Sequence, residues 1–245
     1  MRALFLALFW LIAATPLSAE PVACRGVLHA GTTYTVCTVD LRSTELRLFW
    51  RDGSGRPFGS LRAVESDLTG QGRDLLFAMN GGMYEADGSP VGLYVEGGVP
   101  FHGVNTASSG GNFALKPNGI FYWKGDKAGV METQRFLKER PPADFATQSG
   151  PMLVVDGKLH PAFIQGSTSL KLRNGVGVAD PGHAIFAISE NPVSFYDFAT
   201  LFRDVLLCKN ALFLDGSVSS MSTPERRPAL LSAGLGPIIG AVARK

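Results

Sequence analysis

Residues 75–82 read Leu-Leu-Phe-Ala-Met-Asn-Gly-Gly, an apolar run that passes directly into an asparagine and two glycines. The run is typical of a buried β-strand, and the glycines mark the place where that strand ends. Glycine reaches backbone angles that other residues avoid, and it lets a ligand approach the main chain. The stretch therefore predicts a strand that delivers the polar side chain of Asn80 to the end of a sheet.

Five further segments combine glycine with a polar or charged residue beside an apolar run. They are Gly111-Asn112-Phe113, Pro117-Asn118-Gly119, Gln148-Ser149-Gly150-Pro151, Arg173-Asn174-Gly175 and Leu214-Asp215-Gly216-Ser217. One such junction is ordinary in a folded protein. Six of them, carrying asparagine, serine, arginine and aspartate, predict a polar cleft that is lined by strand ends.

The rest of the pattern predicts an α+β fold in which extended, mostly antiparallel twisted sheets dominate and helices are few. Turn signals at Asp156-Gly157 and Pro181-Gly182 indicate hairpins. Helices are expected at 60–69, 133–139 and 194–207, the last with Ser194 as its N-cap. Strands are expected at 34–40, 46–50, 75–79, 120–123, 152–155, 176–179, 184–189, 211–214 and 237–242.

Composition limits the classes of partner. The chain has 245 residues, of which 45% are hydrophobic and 18% charged, and its net charge is +2. Lysine and arginine are scattered singly, which argues against nucleic acid as a partner. The cysteines and histidines show no zinc-binding spacing, and there is no calcium loop of the Asp-x-Asp-x-Asp type. We expect no cofactor and no metal site.

The N-terminus has the pattern of an export signal. Arg2 is followed by an apolar stretch, 3–14, which is the length of a signal-peptide core and short for a membrane span. We expect residues 1–19 to be a signal peptide and 20–245 to form a single domain that is periplasmic or secreted, without stable membrane insertion after cleavage. A non-cleaved anchor is the alternative.

Export changes how the cysteines are interpreted. Cys24 and Cys37 flank Gly31 in a predicted hairpin, so that they can form a disulfide across paired strands. Two free thiols are the alternative. Cys208 follows the predicted helix at 194–207 and precedes an apolar strand, which indicates a role in core packing.

The ordered set of motifs resembles the phosphodiester glycosidase family. The segments that carry the resemblance begin with Asn-Gly-Gly-Met-Tyr at 80–84 and end with the strand before Asp215-Gly216-Ser217, and the similarity runs from about Leu75 to Ile239. Pro90-Val91-Gly92-Leu93-Tyr94 and Phe195-Tyr196-Asp197-Phe198 are similar to a bacterial periplasmic branch. The resemblance implies a hydrolase that cleaves the glycosidic bond of a sugar-1-phosphodiester, with a carbohydrate or sugar-phosphate substrate.

The resemblance implies roles for three catalytic residues. Asp215 is expected to act as base, nucleophile or hydroxyl clamp, although an aspartate before glycine also serves as a turn residue. Arg173 is expected to bind the phosphate, because a guanidinium offers two parallel donors, although a surface arginine is the common alternative. Asn80 is expected to orient sugar hydroxyls, with a turn-forming role as the alternative.

Other residues are expected to line the substrate site. Ser217 stands where the family commonly has a second glycine, so hydroxyl donors replace a bare backbone there. A second carboxylate is not identified by the pattern, and Asp180 is the one we single out. A non-catalytic glycan-binding protein and a phosphodiesterase that cuts the P–O bond remain alternatives. The substrate-binding set is Gly81, Gly82, Ser149, Gly150, Asn174, Gly216, Ser217 and His160.

Overall fold

The computed structural model describes residues 20–108, 110–216, 218–225 and 234–244. The expected signal peptide, 1–19, and the expected substrate residue Ser217 lie outside the described residues. Across the part that is described, no helix combines the length and the apolar character that crossing a membrane requires.

Strands make up most of the regular structure. They are β1 Val22–His29, β2 Thr32–Asp40, β3 Thr44–Phe49, β4 Leu75–Asn80, β5 Tyr94–Glu96, β6 Val99–His102, β7 Gly119–Lys124, β8 Lys127–Glu132, β9 Phe145–Ser149, β10 Met152–Val155, β11 Lys158–Leu159, β12 Asn174–Asp180, β13 His183–Ser189, β14 Asn210–Asp215, β15 Met221–Ser222 and β16 Ile238–Ala243. The helices are α1 Leu61–Gly70, α2 Thr133–Glu139 and α3 Phe195–Thr200, which continues into a π-helical segment Leu201–Val205.

The strands form three sheets around one core. A seven-stranded sheet has the order β1-β2-β13-β12-β14-β10-β11, a four-stranded sheet the order β15-β4-β16-β3, and a five-stranded sheet the order β6-β5-β9-β7-β8. The paired strands within these sheets are antiparallel. Side chains from all three sheets meet in the central core, among them Phe77, Phe121, Phe186 and Leu214. The expected α+β fold with mostly antiparallel sheets is therefore confirmed.

Each helix covers the outer face of one sheet. Leu61, Val64 and Leu68 of α1 are buried against the four-stranded sheet, together with Ile238 and Val242. Phe198 and Phe202 lie against the seven-stranded sheet, and Phe136 of α2 packs beside the five-stranded sheet. The apolar stripe of each helix is thus matched to a sheet face that alternation would otherwise leave exposed.

The helix expected at 194–207 is shorter than predicted. Ser194 is its N-cap, since its hydroxyl accepts a hydrogen bond from the Asp197 N–H at 3.0 Å. After Thr200 the turn widens, and the Leu206 N–H donates to the Leu201 carbonyl five residues earlier. A pattern with a period of 3.6 residues does not reveal this change of pitch, so the sequence predicted one continuous helix.

All three cysteines are where the sequence predicts them. Cys24 and Cys37 lie directly opposite each other on β1 and β2 and form a disulfide. Cys208 is buried in the core between the seven-stranded sheet and its helix, where burial raises the pKa of its thiol to about 12. A thiol held neutral in this way packs as an apolar group and does not act as a nucleophile.

We expect the disulfide to stabilise the fold by constraining the unfolded chain. A double variant, Cys24→Ser with Cys37→Ser, should lose roughly 3 kcal/mol of unfolding free energy, because the bond closes a loop with a sequence separation of 13 and so restricts the unfolded chain. Urea unfolding measures this loss. A reducing agent should lower the stability of the wild type and of a Cys208→Ala control, and leave the double variant unchanged. Equal stability of the double variant and the wild type contradicts the prediction.

Candidate functional site

The predicted polar residues meet where the three sheets converge at one end. Asn80 is the last residue of β4, Ser149 the last of β9, and Asp215 the last of β14, while Asn174 is the first of β12. Antiparallel pairing places Asn174 opposite Asp215, and Ser149 opposite Gly119 at the start of β7. Strand ends that are far apart in sequence therefore form one polar cluster.

Asn80 and Asn174 join the four-stranded sheet to the seven-stranded sheet. Both side chains are fully buried, and the Asn174 amide Nδ2 donates to Asn80 Oδ1. Asn80 Oδ1 also accepts from the Ser220 N–H at 3.0 Å, and Asn174 Oδ1 accepts from the Asp215 N–H at 2.8 Å. Asn80 Nδ2 is buried and has no hydrogen-bond partner among the described residues. Buried donors without a partner are few in native proteins, and this one lies within the polar cluster.

Asp215 owes its orientation to an irregularity in β14. The register shifts between the pairs Asn174–Asp215 and Gly175–Phe213, so that Leu214 is an extra residue in the strand. Such a bulge re-aims the side chain that follows it. As a result, the side chains of Asp215 and Asn174 project to the same face of the seven-stranded sheet, and the side chain of Phe213 projects to the other face. Its Oδ1 accepts a 2.5 Å hydrogen bond from the Gly216 N–H, and the residue is 6% exposed.

Ser149 has a structural contact at this end. Its hydroxyl donates to the Leu214 carbonyl at 3.0 Å and so ties the five-stranded sheet to the seven-stranded sheet. The next residue, Gly150, packs so closely that a Cβ there would lie 2.7 Å from Asn118 Cβ and 2.9 Å from the Phe113 carbonyl oxygen. These two expected substrate residues are thus close to the cluster, and both are needed to build it.

Gly81 and Gly82 occupy the contact between the four-stranded and five-stranded sheets. The Gly81 N–H donates to the Pro237 carbonyl at 2.7 Å, and the Gly81 carbonyl accepts from the Thr147 hydroxyl at 2.7 Å. Gly82 has a φ of 147°, and a Cβ on it would lie 2.7 Å from Thr147 Oγ1. Close approach of the two sheets therefore requires glycine here. The Gly81 N–H is already used within the protein.

Gly216, the other expected glycine, closes the turn after Asp215. A Cβ at this position would lie 2.8 Å from the Phe213 ring, so a larger residue would displace either that ring or the turn that holds the carboxylate. The turn is held further by Ser219, whose hydroxyl donates to the Asp215 carbonyl at 3.1 Å. The sequence after the strand thus fixes the position of the aspartate.

Arg173 is buried rather than exposed. It is 1% exposed, its guanidinium carbon lies 3.6 Å from the centre of the Phe195 ring, and burial lowers its pKa to about 10. The group therefore remains charged at neutral pH. Its Nε donates to the Val193 carbonyl at 2.9 Å and its Nη2 to the Ser169 carbonyl at 3.2 Å. Nη1 is buried without a partner among the described residues.

Alternation along β12 separates Arg173 from the amide cluster. Successive side chains of a strand project to opposite faces, so Arg173 and Asn174 point away from each other. The Asn174 side chain contacts Asn80, whereas Arg173 lies among the aromatic rings of Phe195 and Phe213. The surface-arginine alternative is thus wrong. The expected phosphate contact stays a prediction, and Nη1 is the atom that is left to make it.

His160 is connected to Arg173 through a row of stacked rings. His160 stacks on Phe163 at 4.7 Å, Phe163 stacks on Phe195 at 4.9 Å, and Phe195 covers the guanidinium. The histidine is 2% exposed, its Nδ1 accepts from the Ala162 N–H, and burial lowers its pKa. A neutral, buried imidazole in this row supports the wall beside Arg173.

Tyr84 is a residue that the sequence reasoning did not assign to the site. Burial, followed by the nearby charge of Asp215, raises the pKa of its phenol. Its ring lies against Gly236, where a Cβ would approach within 2.4 Å. Tyr84 ends the Asn-Gly-Gly-Met-Tyr segment, and its place in that segment is the sequence feature that could have assigned it to the site. The neutral phenol is a hydrogen-bond donor, and Asp215 is near enough to raise its pKa.

Asp180, which we singled out as the second carboxylate, lies at the end of β12 that is remote from Asp215. Asp180 ends β12 and Asn174 begins it, so six residue steps, about 20 Å, separate Asp180 from the pair Asn174–Asp215. Asp180 instead contacts His183 and the Gly182 N–H. It cannot act on the same bond as Asp215. No group of three or more histidine, cysteine or acidic residues suited to a metal occurs in the described part of the chain.

Comparison with known proteins identifies the family. A family model described as phosphodiester glycosidase matches residues 73–228, which include Asn80, Arg173, Asn174 and Asp215. The "Uncharacterized protein YigE" of Escherichia coli strain K12 is 38% identical over 189 residues, which cover 77% of this chain and 74% of that protein.

Solved structures share the fold at low identity. The zebrafish N-acetylglucosamine-1-phosphodiester alpha-N-acetylglucosaminidase catalytic domain, auto-inhibited by its pro-peptide, has a TM-score of 0.63 at 14% identity, over 91% of this chain and 82% of that one. A putative exported protein of Burkholderia pseudomallei K96243 has a TM-score of 0.58 at 11% identity, over 86% and 74% of the two chains. From the family match and the bacterial relative, we conclude that this chain belongs to the phosphodiester glycosidase family.

Proposed function

We propose that the protein is an exported hydrolase that cleaves the bond between the anomeric carbon of a sugar and the oxygen of a phosphodiester. The observation that carries the proposal is a buried hydrogen-bond chain that runs from Asn80 through Asn174 to the main-chain N–H of Asp215, and that leaves the Asn80 amide Nδ2 without a partner among the described residues. The disulfide agrees with an oxidising compartment such as the periplasm. Envelope glycans and glycolipid phosphodiesters are the substrates that fit this location.

In the proposed reaction, a water molecule or Asp215 attacks the anomeric carbon. If Asp215 is the base, it takes the proton of the attacking water as the new C–O bond forms. If it is the nucleophile, a covalent sugar ester forms and water hydrolyses it in a second step. In both cases the bond between the anomeric carbon and the phosphate oxygen breaks, and its electron pair leaves on that oxygen. A phosphate monoester is an acidic leaving group, so a second carboxylate to protonate it is less necessary.

The remaining residues bind and orient the substrate. Asn80 Nδ2 donates to a sugar hydroxyl, and the Tyr84 phenol donates beside Asp215. Arg173 attracts the phosphate through Nη1, which has no hydrogen-bond partner among the described residues. Fixed donors in a site from which water is excluded stabilise developing charge better than water does.

Replacement of Asp215 by asparagine should abolish turnover. We expect the rate of free sugar release from a panel of sugar-1-phosphodiesters to fall at least about a thousandfold, because the reacting group is lost while its shape is kept. The matched control is Asp180→Asn, which removes a strand-end carboxylate at the other end of β12 and should leave turnover unchanged.

Two outcomes would contradict the proposal and favour another function. Release of label into phosphate rather than sugar, in water enriched in heavy oxygen, would show that the P–O bond is cut. Absence of turnover on the whole panel, with sugar phosphates still bound by both the wild type and Asp215→Asn, would indicate a glycan-binding protein.

Asn80→Ala should weaken both the fold and the reaction. It leaves the Ser220 N–H and the Asn174 amide buried without their acceptor, which costs about 1–3 kcal/mol of unfolding free energy. It also removes the donor at Nδ2, so the KM for the diester should rise. Asn210→Ala is the control, since Asn210 accepts one hydrogen bond from the Asp156 N–H at the opposite end. Unchanged stability and unchanged KM of Asn80→Ala would contradict the assignment.

Arg173→Lys separates phosphate binding from support of the wall. The variant keeps the charge and loses the planar fork, so we expect kcat/KM for a phosphodiester to fall about tenfold or more. An aryl glycoside of the same sugar, which has no phosphate, should be hydrolysed with a much smaller loss. Arg203→Lys is the control, because that arginine is paired with Asp204 near the surface. Equal losses on both substrates would assign Arg173 a purely structural role.

A further inference from the structure

A cleft of about 450 Å³ lies at the end of the sheets opposite to the candidate functional site. It is lined by residues from the start of β3 and β9, the end of β7 and the segment after β16, among them Glu45, Phe145, Trp123 and Arg244. Asn80 and Ser149 lie at the other ends of the same sheets, four or five residues away along their strands. This corresponds to roughly 13–17 Å, so the cleft is a separate feature.

Two arginines line the cleft and have unused donors. Arg73 donates through Nη2 to Glu45 and to the Ala243 carbonyl, while its Nε is buried without a hydrogen-bond partner in the described residues. Arg244 donates to the carbonyls of Thr44 and Leu41. It has no carboxylate partner among the residues that the structure describes. Nη1 of Arg73 and Nη1 of Arg244 make no hydrogen bond among the described residues, and a bound oxyanion would accept from these two groups.

The charges around the cleft leave an excess of cations. Glu45 is shared between Arg73 and Arg47, and Asp144 is paired with Lys124. Both carboxylates are therefore already engaged, and the charge of Arg244 is not neutralised. These four cations and two carboxylates leave an excess of two positive charges, which a bound anionic group would lower.

The wall of the cleft is aromatic. Trp123 and Phe145 are stacked with ring centres 5.1 Å apart and an angle of 15° between their planes, and Phe145 is half-buried. The Trp123 indole N–H donates to the Leu46 carbonyl at 2.8 Å, which fixes the ring at the base of the cleft. An apolar wall beside fixed donors is typical of sites for sugar-sized ligands, and the volume is adequate for one.

We propose that this cleft binds the phosphate or carboxylate group of an anionic sugar. Arg73 and Arg244 supply the donors, and Phe145 contacts the sugar ring. The site would hold an anionic glycan at a distance from the candidate active site.

Nuclear magnetic resonance titration of the mature protein tests the proposal without any turnover. The probes are inorganic phosphate and glucuronate, which distinguish the two anion chemistries, and neutral glucose. The reporter is the indole N–H resonance of Trp123, which a Trp50→Phe variant assigns. Either anion should shift this resonance with saturation, and glucose should not.

Two substitutions should move the affinity in opposite directions. Arg73→Lys loses the planar guanidinium and its Nη1 donor, and should weaken binding about tenfold. Glu45→Gln frees Arg73 from its partly exposed partner and should tighten binding about twofold to fivefold. A purely structural ion pair predicts no tightening in Glu45→Gln. Arg56→Lys is the control, because Arg56 forms an exposed pair with Asp52 away from the cleft, and it should bind as the wild type does.

Three results would overturn the proposal. One is the absence of a saturable shift of the Trp123 resonance with either anion. The second is an affinity that is unchanged in both Arg73→Lys and Glu45→Gln, which would locate the anion elsewhere. The third is an equal response to glucose, which would show that charge is not recognised.

Discussion

The hydrogen bonds that join the three sheets at one end are the constraint on which the rest of the structure depends. Asn174 donates to Asn80 and joins the seven-stranded to the four-stranded sheet. Ser149 donates to the Leu214 carbonyl and joins the five-stranded to the seven-stranded sheet, and Thr147 donates to the Gly81 carbonyl and joins the remaining pair. Buried polar groups are costly when they lose their partners, so these hydrogen bonds fix how the sheets meet. The position of Asp215 follows from that arrangement.

The same constraint divides the polar residues into two groups. Ser149 and the Gly81 main chain are occupied in holding the sheets together, and they offer little to a ligand. Asn80 has a double role, since its oxygen holds the Ser220 N–H and Asn174 while its nitrogen remains unused. A residue that both positions and binds makes the geometry of a site depend on the fold itself, which is the condition for donors fixed before the substrate arrives.

The sequence predicts nine of the strands, together with the hairpins and the disulfide, because these follow from local alternation and turn chemistry. It misses β5, β6, β8, β9 and β15. It also predicts that Asn80, Asn174 and Asp215 end or begin strands. It does not predict the bulge that turns Asp215 toward Asn174, since a one-residue register shift depends on the partner strand. Nor does it predict the burial of Arg173, which requires Phe195 from a helix more than twenty residues later. Asp180 was assigned to the wrong end because proximity in sequence does not distinguish the two ends of a strand.

Arg173 shows why a buried charge matters for the proposed function. Removing a guanidinium from water is costly, and no carboxylate among the described residues is paired with Arg173 to offset that cost. Two backbone carbonyls and the face of Phe195 stabilise the cation only in part, because they are dipoles and a ring rather than an opposite charge. The attraction that remains acts on an anion and hardly at all on a neutral sugar. Selectivity for a phosphodiester over an ordinary glycoside is therefore expected to depend on this residue.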